Sequence, residues 1–246
     1  ALMAIEPVNI ILTGKKYHFI EPMHIAKLVH ISSVTSAPVE FSSTGLGSLF
    51  ILEGSGYLIL DKLHINAAGM QTRFFIASST KASSSHFNLK INMCAFSQLG
   101  KNNSAEAFFF ANKSSVADSI VISQSDFSNN ITDLFVMTEE KDNKGYYNAE
   151  QISFRNNSFR QHQGSILAVY RGGNDESTMG PLLRFTTNKL TGCNSQPGQP
   201  LIHLYGVQQS LLEKNQFTDC NYNAVLLKIE DVVKARHWLK GNKAGR

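Results

Sequence analysis

Short runs of alternating apolar and polar residues fill most of this chain, and turns rich in glycine, asparagine and serine separate them. Alternation with a period of two is typical of β-strands that bury one face. The clearest runs lie at residues 89–93, 120–124, 152–156, 183–187 and 211–215. A second β-rich run follows each of them, at residues 107–110, 134–137, 166–170, 201–205 and 225–229. The pattern therefore predicts an all-β protein built from short strands.

Between the two runs of each pair a small motif recurs, in which a small polar residue stands two positions before an apolar residue. The apolar members are Phe96, Phe127, Phe159, Leu190, Phe217 and Ala244, which follow one another after 31, 32, 31, 27 and 27 residues. Self-similarity at such a period indicates stacked repeats, in which each unit buries its apolar face against the next. Equivalent residues of successive units should then form columns along the stack.

We therefore predict a single-stranded, right-handed parallel β-helix that forms one domain over residues 1–246. Residues 46–246 are expected to form about seven regular coils, and residues 1–45 looser strands, with residues 1–5 as the remnant of a cap. A β-propeller would need about 40 residues and four strands per blade, and a β-sandwich would show two-residue hairpin turns. Only residues 230–239 have a helical period, and it is weak.

The composition agrees with a folded β protein that makes many tight turns. Of the 246 residues, 42% are hydrophobic and 17% charged, which excludes a disordered chain, and three cysteines are too few for a disulfide-stapled miniprotein. Asparagine occurs 20 times and serine 26 times. Asparagine tolerates the left-handed backbone of turns. No apolar stretch approaches the roughly 18 residues of a membrane span, and no signal peptide is visible.

The net charge of +4 is only a weak indication of an anionic partner. Basic residues cluster near the C-terminus, between Lys228 and Arg246, and we interpret this cluster as a solvated basic tail. No basic stripe is interleaved with stacking aromatic residues, so nucleic acid is disfavoured as a partner. An acidic polysaccharide is compatible with a few separated cations.

A long polar loop interrupts the repeat at residues 170–181, where the sequence reads Tyr-Arg-Gly-Gly-Asn-Asp-Glu-Ser-Thr-Met-Gly-Pro. Arg171 is the only cation in this loop. An ion pair from Arg171 to Asp175 or Glu176 would stiffen the loop, and this structural interpretation is weighed against a binding role.

Other candidate chemistry has weaker support in the sequence. The eight histidines lack metal-ligand spacing and no Cys-x-x-Cys pair occurs, so ladder or surface histidines are expected and no metal site is assigned. Cys193 and Cys220 share one phase of the repeat and are expected to be stacked free thiols. Glu139, Glu140 and Asp142 could hold calcium through oxygen ligands, but a solvated loop is preferred.

The loop at residues 170–181, the segment at residues 201–208 and the corner at Asn215-Gln216-Phe217 resemble the C-terminal β-helix domain of two-domain alginate lyases. These enzymes belong to polysaccharide lyase family six, which also includes chondroitinase B. The start of the chain, with a strand at residues 9–12, Gly14 and Tyr17, is similar to the start of that domain. The loop is the specific part of the resemblance, whereas Asn-x-Phe corners are generic to β-helices. The resemblance implies a parallel β-helix of the pectate-lyase-like form.

This resemblance implies β-elimination on a uronate polymer, alginate, by an enzyme that is secreted or periplasmic. That chemistry neutralises a substrate carboxylate, removes the adjacent proton with a base and protonates the leaving oxygen. In the family these steps use a lysine, an arginine and a calcium ion of an N-terminal catalytic β-helix domain. The Leu-Arg-His-Gly segment of that domain does not occur here. The resemblance thus implies that this chain supports a catalytic partner domain and needs no cofactor itself.

No catalytic residue is carried over to this chain. The matching segments contain five residues that are candidates for substrate contact: Tyr170, Arg171, Asn174, His203 and Tyr205. Two alternatives stay open, namely a non-catalytic module that binds an acidic polysaccharide and a purely structural β-helix domain.

Overall fold

The computed structural model describes residues 6–80, 85–101, 105–174, 178–220 and 225–245. Within these ranges the chain forms short β-strands joined by turns and loops. The first thirteen strands are β1 (Val8–Leu12), β2 (Lys16–Phe19), β3 (Met23–Ile25), β4 (Leu28–Ser33), β5 (Val39–Ser43), β6 (Leu46–Leu52), β7 (Tyr57–Asp61), β8 (His64–Gly69), β9 (Thr72–Ser78), β10 (Ser85–Asn92), β11 (Ala95–Ser97), β12 (Ala107–Phe110) and β13 (Val116–Ser123). The others are β14 (Asp126–Ser128), β15 (Asp133–Met137), β16 (Ala149–Arg155), β17 (Ser158–Arg160), β18 (Leu167–Tyr170), β19 (Leu182–Thr186), β20 (Lys189–Thr191), β21 (Ile202–Tyr205), β22 (Gln209–Glu213), β23 (Gln216–Thr218), β24 (Leu227–Glu230), β25 (Arg236–Lys240) and β26 (Lys243–Gly245).

These strands form three sheets, and each sheet takes every third strand of the chain. Sheet A contains β1, β4, β7, β10, β13, β16, β19, β22 and β25, and sheet B contains β2, β5, β8, β11, β14, β17, β20, β23 and β26. Sheet C contains β3, β6, β9, β12, β15, β18, β21 and β24. Neighbouring strands in a sheet are parallel, as β13 and β16 are. The predicted parallel β-helix is confirmed, and its topology is consistent with the right-handed form.

The structure refines the expected boundaries in three places. Strands β1 to β5 belong to the same three sheets as the later coils, so the stack already begins at Val8. The weak helical period at residues 230–239 corresponds to no helix, because β24 ends at Glu230 and β25 begins at Arg236. Residues 1–5, the expected remnant of a cap, lie outside the described ranges. In the described part of the chain, no helix has the length and apolar character that crossing a bilayer requires.

The apolar members of the repeated motif form the predicted column inside the coil. Phe96 pairs with Phe127, and Phe127 pairs with Phe159, in the register of sheet B. The ring centroids of these two pairs lie 5.3 and 5.4 Å apart, in stacked geometry. Leu190 and Phe217 continue the column. Stacked aromatic pairs add about 0.5–1.5 kcal/mol each beyond the area that they bury.

The corner between sheet A and sheet B has the same two-residue form from β7 onward. Its first residue adopts a left-handed conformation, with φ between 50° and 62°, at Lys62, Met93, Gln124, Asn156, Thr187, Lys214 and Gly241. Its second residue turns its side chain into the coil. These inward residues include Cys94, Ser125, Asn157, Asn188 and Asn215, all of them buried.

The inward asparagines form a hydrogen-bonded ladder between coils. The Asn157 N–H donates to Asn188 Oδ1 at 3.0 Å, and the Asn188 N–H donates to Asn215 Oδ1 at 2.9 Å. Asn188 Nδ2 donates to Asn215 Oδ1 at 3.1 Å and to the Phe154 carbonyl at 3.1 Å. The ladder therefore satisfies backbone groups that the corner would otherwise leave buried and unpaired.

A second column of inward residues follows sheet B and contains Leu99, Asn130, His162, Cys193 and Cys220. His162 is fully buried, and burial lowers its pKa to about 4, so it is a neutral core histidine, as the default interpretation expected. Cys193 and Cys220 are free thiols, as predicted. A hydrogen bond from Cys193 lowers the pKa of the Cys220 thiol.

Replacing Asn188 with alanine should destabilise the fold strongly. The substitution leaves the buried Asn157 N–H without its acceptor and removes a side-chain donor from the Phe154 carbonyl, and a buried group left unpaired costs about 1–3 kcal/mol. We expect the free energy of unfolding to fall by about 2–4 kcal/mol, measured by urea denaturation followed by circular dichroism. Asn242→Ala is the matched control, because Asn242 is an exposed rung at the end of the same ladder. Equal losses in the two variants would contradict a role for burial of the ladder.

Candidate functional site

The outward face of sheet C carries a cluster of polar and aromatic side chains near the C-terminal end of the stack. In β18, β21 and β24, alternation turns residues such as Val169 and Leu204 into the core and their neighbours outward. The register aligns Tyr170 with Tyr205 and Glu230, and it aligns His203 with Lys228. We call Tyr170, His203, Tyr205, Lys228 and Glu230 the tyrosine–histidine face.

His203 lies at the centre of this face and is bonded on both sides. Its Nδ1 lies 3.1 Å from Tyr170 Oη, and its Nε2 lies 3.4 Å from Glu230 Oε2. One ring nitrogen of a neutral imidazole donates and the other accepts, so the two contacts together select a tautomer. The Tyr170 ring meets the His203 ring edge-on, with centroids 5.0 Å apart, and lies 5.3 Å from the Tyr205 ring. These contacts hold the three rings as one rigid patch.

Two lysines flank the patch. Lys228 Nζ lies 2.6 Å from Glu230 Oε1 and forms an ion pair with that carboxylate. Lys141 Nζ lies 5.8 Å from the centroid of the Tyr170 ring, near the outer limit of a cation–π contact. The face therefore combines aromatic surface, hydrogen-bonding groups and cations, which are the features that bind a sugar carrying hydroxyl and carboxylate groups.

Burial determines the protonation of the central pair. It lowers the pKa of His203, although the Glu230 carboxylate opposes this shift, and it raises the pKa of the Tyr170 phenol. At neutral pH the imidazole is therefore neutral and the phenol is protonated. The central pair therefore carries no charge at neutral pH.

Arg171 and Asn174, the other two predicted site residues, do not join this face. The Arg171 side chain is fully buried. Its guanidinium donates to the Gly173 carbonyl at 3.2 Å and to the carbonyl and Oγ1 of Thr178, both at 3.1 Å. The predicted ion-pair partners of Arg171, Asp175 and Glu176, lie outside the described residues. Arg171 thus shapes its own loop from within.

This loop packs against the loop that follows β15, and we call residues 138–148 and 171–181 the loop pair. The Gly172 N–H donates to the Tyr146 carbonyl at 2.9 Å, and the Asn174 N–H donates to Asn143 Oδ1 at 2.7 Å. A Cβ atom at Gly172 would lie 2.2 Å from the Asp142 carbonyl oxygen. Only glycine therefore permits this approach.

Sequence reasoning missed three members of the site region: Lys141, Lys228 and Glu230. The basic cluster near the C-terminus predicts a solvated tail, but Lys228 lies in β24 and pairs with Glu230. The signal was present in the spacing, because Tyr205 and Glu230 occupy the same position of successive repeats. In the described residues, no three histidine, cysteine, aspartate or glutamate side chains are grouped as metal ligands.

Comparison with known proteins shows that the fold of this chain is similar to part of a solved structure. No protein-family model matches the chain, and no curated protein matches its sequence. A search of solved structures does find matches to nearly the whole chain. The fold is similar to part of the PL6 family alginate lyase AlyGC.

The match to AlyGC has a TM-score of 0.75 at 21% sequence identity and covers 98% of this chain and 37% of that chain. A mutant of AlyGC matches with a TM-score of 0.75 at 22% identity, covering 96% of this chain and 36% of that chain. This chain therefore spans little more than a third of the length of those enzymes. At this identity the likeness is one of fold, and the fold is the one that the sequence resemblance implied.

Replacing Gly172 with alanine should separate the loop pair. The new methyl group would overlap the Asp142 carbonyl, and overpacking of this kind costs about 1–3 kcal/mol. We expect faster amide hydrogen exchange in residues 138–148 and a lower melting temperature. Gly47→Ala in β6 is the control, because a Cβ atom there meets nothing within 4 Å. Unchanged exchange in Gly172→Ala would show that the two loops do not depend on this contact.

Proposed function

We propose that this chain is the supporting β-helix domain of a polysaccharide lyase that cleaves alginate by β-elimination. The observation that carries the proposal is the match of almost the entire chain to part of AlyGC with a TM-score of 0.75. The specific loop at residues 170–181 supports the same assignment, since it resembles the C-terminal domain of such enzymes. The partner in this proposal is an N-terminal catalytic β-helix domain.

The tyrosine–histidine face is the part of this domain that we propose contacts the polymer. Tyr170 and Tyr205 offer aromatic surface to a sugar ring, and Lys228 offers a cation to a uronate carboxylate. His203 is neutral at neutral pH, and its two ring nitrogens hold Tyr170 and Glu230 in place within the face. Arg171 has a structural role in this proposal, because its buried guanidinium holds the loop beside the face.

The chemistry of elimination would be supplied by the catalytic domain. Elimination requires a base, an acid and a group that neutralises the carboxylate. We assign none of these to the present chain. The calcium ion and the lysine and arginine implied by the family resemblance belong to the other domain, and the enzyme would act where alginate is found, outside the cell or in the periplasm.

Two assays with the isolated chain separate this proposal from its alternatives. Incubation with alginate and calcium should give no rise in the ultraviolet absorbance of unsaturated uronate, whereas electrophoresis in an alginate-containing gel should show retardation. Strong turnover would place catalytic residues in this chain after all. If the chain shows no turnover and no retardation, a purely structural domain is favoured. Removal of such a domain should destabilise the complete enzyme.

Reversing the charge of Lys228 should weaken alginate binding. Lys228→Glu removes a cation from the tyrosine–histidine face and places two carboxylates side by side. We expect loss of most of the retardation in the alginate gel. Lys243→Glu is the matched control, because it makes the same change of net charge at an exposed position on sheet B. If both variants lose retardation equally, binding follows net charge and not this face.

Binding should also strengthen as the pH falls through the lowered pKa of His203. The imidazole is neutral above this pKa and becomes a cation below it, while alginate keeps its carboxylates ionised. We expect greater retardation at a pH well below the ordinary histidine pKa of about 6.5 than at about pH 7. His203→Gln stays neutral at both values and should show a smaller increase. An identical pH response in the variant and the unmodified chain would remove His203 from the binding face.

A further inference from the structure

Trp238, the only tryptophan of the chain, lies in β25 on the outward face of sheet A. Its two neighbours in the strand point the other way. His237 Nδ1 lies 2.7 Å from Oγ of the buried Ser210, and Leu239 aligns with the buried Leu212. Because side chains alternate along a strand, Trp238 points outward. The 40% exposure of this residue is therefore a property of the outer face and not of the open end of the stack.

The register of sheet A places a cation in the same row as this indole ring. Trp238 aligns with Leu211 of β22, and Leu211 aligns with Arg184 of β19. Adjacent strands lie about 4.8 Å apart, so the three side chains form a short row across the sheet. Lys240 follows Trp238 by two residues and lies on the same face of β25. We call the groove of about 330 Å³ lined by Trp238, Leu211, Arg184, Lys240, Leu182 and Gln209 the tryptophan groove.

The two cations of the tryptophan groove have no carboxylate partner in the part of the chain that the structure describes. Glu213, the register neighbour of Lys240, is paired with Lys214 at 3.8 Å instead. Among the described residues, no aspartate or glutamate lines the groove. Two unpaired cations with no acidic lining give the groove a positive potential, which attracts an anionic ligand.

An indole ring beside cations has the chemistry to bind a uronate sugar. The indole face packs against the apolar face of a sugar ring, and guanidinium and ammonium groups bind its carboxylate through charge-assisted hydrogen bonds. Leu211 extends the apolar floor between Trp238 and Arg184, and the Gln209 amide can both donate to and accept from hydroxyl groups. Small-ligand pockets have volumes of about 300–1,000 Å³, and this groove lies at the lower end of that range, which suits a short oligosaccharide.

We propose that the tryptophan groove is a second binding site for the acidic polysaccharide, separate from the tyrosine–histidine face. The sugar ring packs against Trp238, and Arg184 and Lys240 bind the carboxylate. The identity of the sugar rests on the proposed function, whereas the location of the site rests on the contacts above. A chain with two sites is retained in a polymer gel more strongly than either site alone would allow, so loss of one site still removes most of the retardation.

Tryptophan fluorescence tests the site directly, because Trp238 is the only source of this emission. Titration with a mannuronate or guluronate trisaccharide should give a saturable change in emission, and a neutral glucan trisaccharide should give none. Arg184→Gln combined with Lys240→Gln should weaken the affinity for the uronate trisaccharide by about fivefold or more, the size expected when two exposed charge-assisted contacts are lost. Lys90→Gln combined with Arg155→Gln is the matched control, because it makes the same change of charge at outward positions elsewhere on sheet A.

Three results would overturn the proposal. The first is the absence of a saturable change in emission when the unmodified chain is titrated with either uronate trisaccharide. The second is an equal response to the neutral trisaccharide, or equal weakening in the two double variants, since neither the carboxylate nor this pair of cations would then be recognised. The third is an emission that depends on protein concentration and not on sugar, which would identify a second copy of this chain as the occupant of the groove.

Lys228→Glu distinguishes failure of this site from failure of the proposed function. This variant should lose retardation in the alginate gel and keep the response of Trp238 to the uronate trisaccharide. Retardation of the unmodified chain without a response of Trp238 would overturn the second site and leave the proposed function intact. A response of Trp238 in a chain whose retardation does not depend on Lys228 would support the tryptophan groove and remove the tyrosine–histidine face as the binding site.

Discussion

The buried ladder at the corner between sheets A and B is the constraint on which the rest of this structure depends. A sharp corner leaves backbone N–H and carbonyl groups inside the coil, where water cannot reach them. An asparagine amide carries both a donor and an acceptor, so one rung pairs with the coil above and with the carbonyl of a neighbouring strand. Serine and cysteine extend the ladder at Ser125 and Cys94 with smaller side chains. Register between coils follows from these bonds, because a slip of one residue would unpair every rung.

Because this corner is invariant, length varies elsewhere in the repeat. After β7, two residues always separate sheet A from sheet B, whereas the connection from sheet C back to sheet A varies there from residues 206–208 to residues 138–148. Long insertions are tolerated there since both ends are fixed in the stack. The loops that differ between coils therefore gather beside the outward face of sheet C. Both the tyrosine–histidine face and the buried Glu140 lie in this region.

The periodic features of the fold were predictable from sequence, and the contacts of the loops were not. The spacing of Phe127 and Phe159 predicted their column because one repeat carries the residue to the same place in the next coil. The same reasoning places Tyr170 over Tyr205, but the extension to Glu230 was missed where turns interrupt the pattern. Glu140 and Arg171 are buried in irregular loops, where Glu140 accepts from the Ser114 N–H of the preceding coil and Arg171 donates to carbonyls of its own loop. No periodicity in the sequence predicts such contacts, and charged residues in a polar loop are ordinarily exposed to solvent.

The arrangement of His203 favours recognition over proton transfer as the role of the face. A general base needs a free lone pair within reach of the proton that it removes. Both ring nitrogens of His203 are already engaged, one by Tyr170 and the other by Glu230, and the Glu230 carboxylate is in turn paired with Lys228. Abstraction of a proton by this imidazole would require one of these contacts to break. A rigid patch of this kind instead presents aromatic edges and a cation at fixed positions, which lowers the entropic cost of binding a flexible polymer. The contacts of His203 therefore agree with the proposed division of roles, in which this β-helix binds the polymer and a second domain carries out the elimination.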